Sequence, residues 1–383
     1  MVQIHLVGFV VDNMIDAIKK LDKKFLILVS CLLGLPILLI IFLAIIQGCS
    51  NRTISHEKYE NKMVQAFEKY LEKEEKTPQN EGEFVEIKLD KLVELEYIKS
   101  PEELLDDTSC KGSVSVRRNG ASLLSDGGYL NYIVNLECDE YKTVKLVDKL
   151  KEGIVTEKSG LYVVNDGYIY KGDKVNNYIM FDKTLYRIIG IEKDGMVKLI
   201  KVNYETIERN WDNKYNVDTN SYSGKNIVED SQMLELLKED YLNSNKFEEE
   251  GHRNIVAHNA CIGKRSSTDY SIDKAKDCST VLEKQLLDLI NVSDYALASL
   301  DPDCKNLDSP SCVNYNYLSD VIGASWTLNT SSDNTYEVLY IANSMMYAEL
   351  ANTMNPYNIV VYIDGNELYV DGNGTIDNPY IIK

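Results

Sequence analysis

Gly160 to Ile200 reads GLYVVNDGYIYKGDKVNNYIMFDKTLYRIIGIEKDGMVKLI. Short apolar runs succeed one another: Gly160-Leu-Tyr-Val-Val, Tyr168-Ile-Tyr, Tyr178-Ile-Met-Phe, Leu185-Tyr-Arg-Ile-Ile-Gly-Ile and Met196-Val-Lys-Leu-Ile. They are rich in β-branched and aromatic residues, which fit a pleated, half-buried surface. Asn165-Asp-Gly and Lys193-Asp-Gly lie between them, and both suit tight type I′ hairpins. The stretch therefore predicts consecutive, mostly antiparallel strands.

The same pattern extends toward the C-terminus. Ser231 to Leu242 has helical spacing, residues 243–280 are loop-rich, and strands return at Tyr336–Ile341 and Asn358–Ile363. Toward the N-terminus, Val144–Val155 reads as a connecting helix. Before it lies a smaller α+β unit. Tyr59, Met63, Phe67, Tyr70 and Leu71 mark one face of a helix, Phe84–Leu89 alternates as a strand, Lys91–Tyr97 is helical, and Gly112–Arg117 and Tyr129–Leu136 form a hairpin.

Phe25 to Gln47 is FLILVSCLLGLPILLIIFLAIIQ, without a charge. At about 1.5 Å per residue it is long enough for a hydrocarbon core of about 30 Å. Lys19, Lys20, Lys23 and Lys24 precede it, and only Arg52 is close on the far side. The positive-inside rule then holds the N-terminus in the cytoplasm and exports the chain beyond Gln47. Ile46-Gln47-Gly48-Cys49 also resembles a bacterial lipobox, which would make Cys49 a lipid-bearing residue.

The expected architecture is α+β: a cytoplasmic N-terminus (1–24), a single transmembrane helix (25–47), a membrane-proximal helix plus small α+β domain (48–143), a linker helix (144–159) and a larger, mostly antiparallel β-rich extracellular domain (160–383).

Formal net charge is −19. The segment before Phe25 has four Lys against three Asp, so the acidic excess lies beyond the apolar run. Such a surface repels nucleic acid and anionic lipid. The expected partners are the bilayer, through residues 25–47, and a glycan or protein ligand outside the cell. The 26 tyrosines fit an AT-rich genome better than a dedicated Tyr-rich binding surface.

Cys31 lies in the apolar run and Cys49 at its edge; the six cysteines beyond are Cys110, Cys138, Cys261, Cys278, Cys304 and Cys312. An even number outside the cytoplasm implies disulfides. The hairpin brings Cys110 to Cys138, and proximity pairs Cys261 with Cys278 and Cys304 with Cys312. No Cys-x-x-Cys or zinc-type Cys/His spacing occurs, and no cofactor is expected. Asp371-Gly-Asn-Gly-Thr-Ile-Asp377 resembles the middle of an EF-hand loop. Tyr369 and Tyr380 stand where its first carboxylate and its bidentate Glu would be, so a glycine turn is the better reading. Nucleophile-elbow, Walker and zincin motifs are absent, so no catalytic residue is assigned. The candidate ligand-binding residues are Asp294, Tyr295, Trp326 and Asn329. An aromatic face beside amide and carboxylate groups suits sugar stacking and hydroxyl hydrogen bonds.

The chain carries two family resemblances. Residues 25–143, with Leu92-Val-Glu-Leu-Glu-Tyr-Ile-Lys-Ser-Pro101, Cys110 and Cys138, resemble type IV pilin-like surface proteins of low-GC Gram-positive bacteria. Lys24 and Val29 stand where prepilins carry Gly and Glu, so the apolar helix is expected to stay uncut. Residues 160–383, through Leu185–Ile191, Val292–Tyr295, Trp326-Thr-Leu328, Tyr336–Val338 and Gly374–Tyr380, resemble uncharacterised exported proteins of the same bacteria and, in the order of Trp-Thr and strands, the C-type-lectin-like fold. A large, disulfide-stapled ectodomain without a catalytic signature points to a membrane-anchored binding or adhesion-type surface protein. The alternative is a pilin-like structural or secretion-system subunit.

Overall fold

The computed structural model describes residues 53–80, 82–119, 129–165, 167–202, 205–214, 224–242 and 254–382. The apolar stretch 25–47, Cys49 and the lysines before them lie outside these residues. Among the described residues, no helix is long and apolar enough to cross a membrane. The class is mixed α+β and rich in strands.

The chain divides into two compact units, residues 1–59 with 99–108, and residues 60–98 with 109–383. In the first, the Ile54 amide donates to the Leu104 carbonyl at 2.8 Å and the Tyr59 hydroxyl donates to the Lys99 carbonyl at 2.8 Å. The short helix Pro101–Leu105 starts on a Ser100 N-cap with Pro at the first position, where its missing N–H costs nothing.

The second unit opens with most of the helix His56–Lys73. Met63, Ala66, Phe67 and Leu71 are buried from it at helical spacing. Phe67 meets Tyr132 edge-on at 6.3 Å. Tyr132 lies on an antiparallel sheet of Phe84–Lys88, Lys111–Asn119 and Tyr129–Glu137, in that order. Lys111 pairs with Glu137 at the open end of the hairpin, and Cys110–Cys138 closes it with a Cα separation of 4.0 Å. The other two disulfides join Cys261 to Cys278 and Cys304 to Cys312.

The rest of the unit is built on two larger sheets. One runs Leu287–Leu289, Ile359–Asp364, Met196–Lys201, Thr184–Glu192, Tyr178–Phe181, Tyr380–Ile382, Tyr369–Asp371, with the hairpin Gly160–Val164/Gly167–Lys171 also on Thr184–Glu192. Its pairings are antiparallel except Tyr380–Ile382 on Tyr178–Phe181. The central strand Thr184–Glu192 is buried continuously from Tyr186 to Ile191, as expected of a strand covered on both faces. Gly190 is required there. A Cβ would meet the Tyr168 carbonyl oxygen at 2.3 Å and break the pairing with Gly167–Lys171.

The second sheet runs Met345–Leu350, Glu337–Ala342, Ala324–Ser331, Met354–Tyr357, Glu205–Asn210, with Lys264–Arg265 beside Ala324–Ser331. Two tryptophans fasten it. Trp326 Nε1 donates to the Arg209 carbonyl at 2.8 Å, and Trp211 Nε1 donates to the Thr327 carbonyl at 2.9 Å. Both rings are fully buried with their polar edges satisfied.

The helix expected at 144–155 forms over Leu146–Lys151. Leu146 and Leu150 belong to the main hydrophobic core, so this segment packs as part of the β-rich body and is not a free linker. The helix expected at 231–242 forms over Gln232–Leu242.

Candidate functional site

The site begins with a charge inside an apolar strand. In Met196–Lys201, Val197, Leu199 and Ile200 are buried, and so is Lys198. Lys198 pairs in register with Tyr362 on the neighbouring strand. Its side chain is 1% exposed and meets Asp294, 4% exposed, at 2.5 Å. Asn291 Oδ1 also accepts from Lys198 Nζ, at 3.1 Å.

Asn291 and Asp294 sit together because they start a helix. Asn291 is the N-cap of Val292–Leu297, and its side chain accepts from the Asp294 amide. Asp294 Oδ2 in turn accepts from the Asn291 amide at 3.2 Å. This reciprocal capping box satisfies two backbone donors that a helix start leaves open. Burial pushes Asp294 upward, but Lys198, Lys274 and the hydrogen bonds outweigh it and hold the carboxyl below the usual range. Burial pulls Lys198 down; Asp294 and Tyr362 more than offset this and hold it protonated.

A second buried pair lies beside the first. Arg265 Nε reaches Asp277 at 2.5 Å, both fully enclosed. Asp277 also accepts from the Ser293 amide at 3.0 Å and from its hydroxyl. Burial, only partly countered by Arg265, raises the Asp277 carboxyl. Asn329 joins the two pairs, donating to the Gly263 and Asp277 carbonyls at 3.3 and 3.2 Å.

Next to these pairs, and reached by Asn291, is a cleft of about 550 Å³. Its wall carries the Cys261–Cys278 disulfide, Asn259, Asn291 and Tyr362, and its rim carries Glu192, Lys193, Asp194 and Lys274. Lys274 is paired to Glu192 at 2.9 Å. His258 also lines the cleft. The ring is 4% exposed and stacks on Tyr362 with centroids 3.8 Å apart. Nε2 is 3.4 Å from Asp288 Oδ2. Nδ1 is buried with no hydrogen-bond partner among the described residues. With Nε2 directed at Asp288, Nδ1 is the ring nitrogen left to meet a ligand. Buried polar atoms are almost always paired, so the unpartnered Nδ1 of a residue lining the cleft is a place where a group from a ligand would be stabilised.

The four residues predicted to bind ligand are all buried. Trp326 and Asn329 are fully enclosed, Tyr295 is 2% and Asp294 5% exposed. Each has a partner within the fold. Tyr295 Oη donates to Ser344 at 2.9 Å, Trp326 holds a strand, Asp294 pairs with Lys198 and caps a helix, and Asn329 donates to the Gly263 and Asp277 carbonyls. The sugar-stacking expectation for Trp326 is corrected accordingly: its strand, Ala324–Ser331, lies inside the sheet with sheet neighbours on both sides. Of the four, Asp294 alone is in contact with Lys198. Lys198, His258, Asp288, Asn291 and Tyr362 went unmarked as site residues. The Asp371–Asp377 segment forms a turn with Gly372 and Gly374 at positive φ, and Asn373 Oδ1 accepts from Thr375.

The chain matches no protein-family model and shows no significant similarity to a curated protein or to a solved structure.

Proposed function

We propose that this chain is a membrane-anchored binding protein of adhesion type, and that the cleft at His258 is its recognition site. The observation that carries the reading is the unpartnered, buried Nδ1 of His258 at the wall of a cleft with rim charges of both signs. A cavity with a few convergent polar groups in a stiff apolar frame is the usual form of a small-ligand site. The mixed rim and the amide of Asn259 suit a neutral, hydroxyl-rich ligand, such as the end of a glycan. Anchoring rests on the apolar stretch 25–47 and its flanking lysines. Three disulfides support an oxidising, extracytoplasmic setting. The sequence resemblance of residues 160–383 to the C-type-lectin-like fold is a further reason to favour glycans.

A glycan array probed with the full chain in detergent tests this. Binding to a defined set of glycans supports the reading, and a blank array counts against it. The second reading, a pilin-like structural subunit, is favoured by one arrangement: a helix packed on a three-stranded sheet whose hairpin is stapled by Cys110–Cys138. Filaments seen on cells by negative-stain imaging would favour it over the first.

A further inference from the structure

We infer that Lys198 and Asn291 are the reacting partners of an intramolecular isopeptide bond, with Asp294 as the catalytic acid–base. Three observations converge. An amine, a carboxamide and a carboxylate meet in one place: Nζ lies 3.1 Å from Asn291 Oδ1 and 2.5 Å from Asp294 Oδ2. All three residues are at most 5% exposed, so water, the competing nucleophile, is excluded. Asn291 also lines the cleft, which gives a small leaving group a way out.

The local structure does not require Lys198. The capping box already satisfies the helix start through Asn291 and Asp294 alone. A lysine in the middle of a buried strand pays desolvation that a buried ion pair recovers only in part, so its place among Val197, Leu199 and Ile200 points to chemistry.

The step balances without any co-reactant. Asp294 carboxylate takes a proton from the Lys198 ammonium across their contact. The ion pair is the resting form, so the free amine is a transient on the way to attack. The amine lone pair attacks Asn291 Cγ and a carbon–nitrogen bond forms. Asp294 returns the proton to Nδ2, the old carbon–nitrogen bond breaks, and ammonia departs with the second Nζ proton as ammonium. One amide replaces another, nothing is oxidised or reduced, and Asp294 ends as it began. Reactants held in this geometry gain the large effective concentrations of intramolecular reactions. The product would tie the centre of the larger sheet to the Val292–Leu297 helix.

The test is a tryptic digest of the full chain, reduced and alkylated, read by mass spectrometry. The expected result is residues 194–201 joined to residues 285–305, lighter than their sum by one ammonia, with Lys198 uncleaved. The Asp294→Asn chain, which keeps both reacting groups, should release the two peptides separately, as should Lys198→Arg. Free, unmodified peptides in the unsubstituted protein overturn the inference, and this readout needs no variant to fold. A loss of one water overturns the assignment of Asn291 as the electrophile. A cross-link that persists in Asp294→Asn overturns the role of Asp294.

Discussion

Lys198 Nζ lies 2.5 Å from Asp294 Oδ2, and the two side chains are 1% and 4% exposed. A buried charge is tolerated only while its partner is present. Asp294→Asn leaves Lys198 without a counter-charge, and removing one member of such a pair costs about 3–5 kcal/mol. Lys198→Met with Asp294→Leu should cost less than Asp294→Asn alone, because no charge is then stranded. Thermal unfolding of both variants checks this. Equal losses would mean that Asp294→Asn strands no charge.

Trp326 is a strand fastener with its indole N–H on the Arg209 carbonyl. Trp326→Ala should cost about 3–5 kcal/mol through the cavity it opens, with the unpaired Arg209 carbonyl adding to the loss. Trp326→Phe should cost less and leave ligand binding intact. A variant that stays stable but no longer binds would return Trp326 to the binding surface.

How legible was this in the sequence? The strands of residues 160–200 were, because turn signals such as Asn165-Asp-Gly separate apolar runs whose residues favour sheets. The Cys110–Cys138 contact was, because a hairpin fixes what its ends do. The site was not. Lys198 was visible as a charge inside Met196-Val-Lys-Leu-Ile, and Asp288 as one inside Leu286-Leu-Asp-Leu-Ile, but each finds its partner through long-range pairing. Lys198 meets Asp294 across 96 positions. Trp326 misled for a related reason: Trp-Thr-Leu-Asn reads equally well as a surface platform or as a strand. Only the neighbours Glu337–Ala342 and Met354–Tyr357 decide between them.

Glu367 gives the fold a pH dependence. It is half-buried, and burial, then repulsion from Asp364, raise its carboxyl from 4.5 to about 8. A carboxylic acid raised in the folded state holds its proton there while the unfolded chain has already released it. Its contribution to stability is therefore greatest below about 4.5 and falls as pH rises toward about 8, then levels off. Glu367→Gln should flatten this slope. Melting curves of both chains across that range check it, and equal slopes would assign the dependence to another group.

The disulfides should differ in worth. Cys110–Cys138 spans 28 positions and Cys304–Cys312 spans 8. Chain entropy makes the longer loop more stabilising by about 1 kcal/mol. Paired Cys→Ser replacement at each site, compared by denaturant unfolding, checks the order. The opposite order would show that native contacts, not loop closure, set the difference.

Recognition in the cleft depends most on His258. Its Nδ1 is buried and unpartnered among the described residues, and its ring is stacked on Tyr362. His258→Phe keeps the stack and removes both Nδ1 and the Nε2 contact to Asp288. The decisive measurement is one glycan array probed with both full-length proteins. A ligand held by Nδ1 requires a defined set of bound glycans for the unsubstituted chain and about tenfold weaker binding for His258→Phe, the loss of one hydrogen bond of roughly 1.4 kcal/mol, measured below the melting transition of each protein. Equal binding by the two proteins would contradict a recognition role for His258.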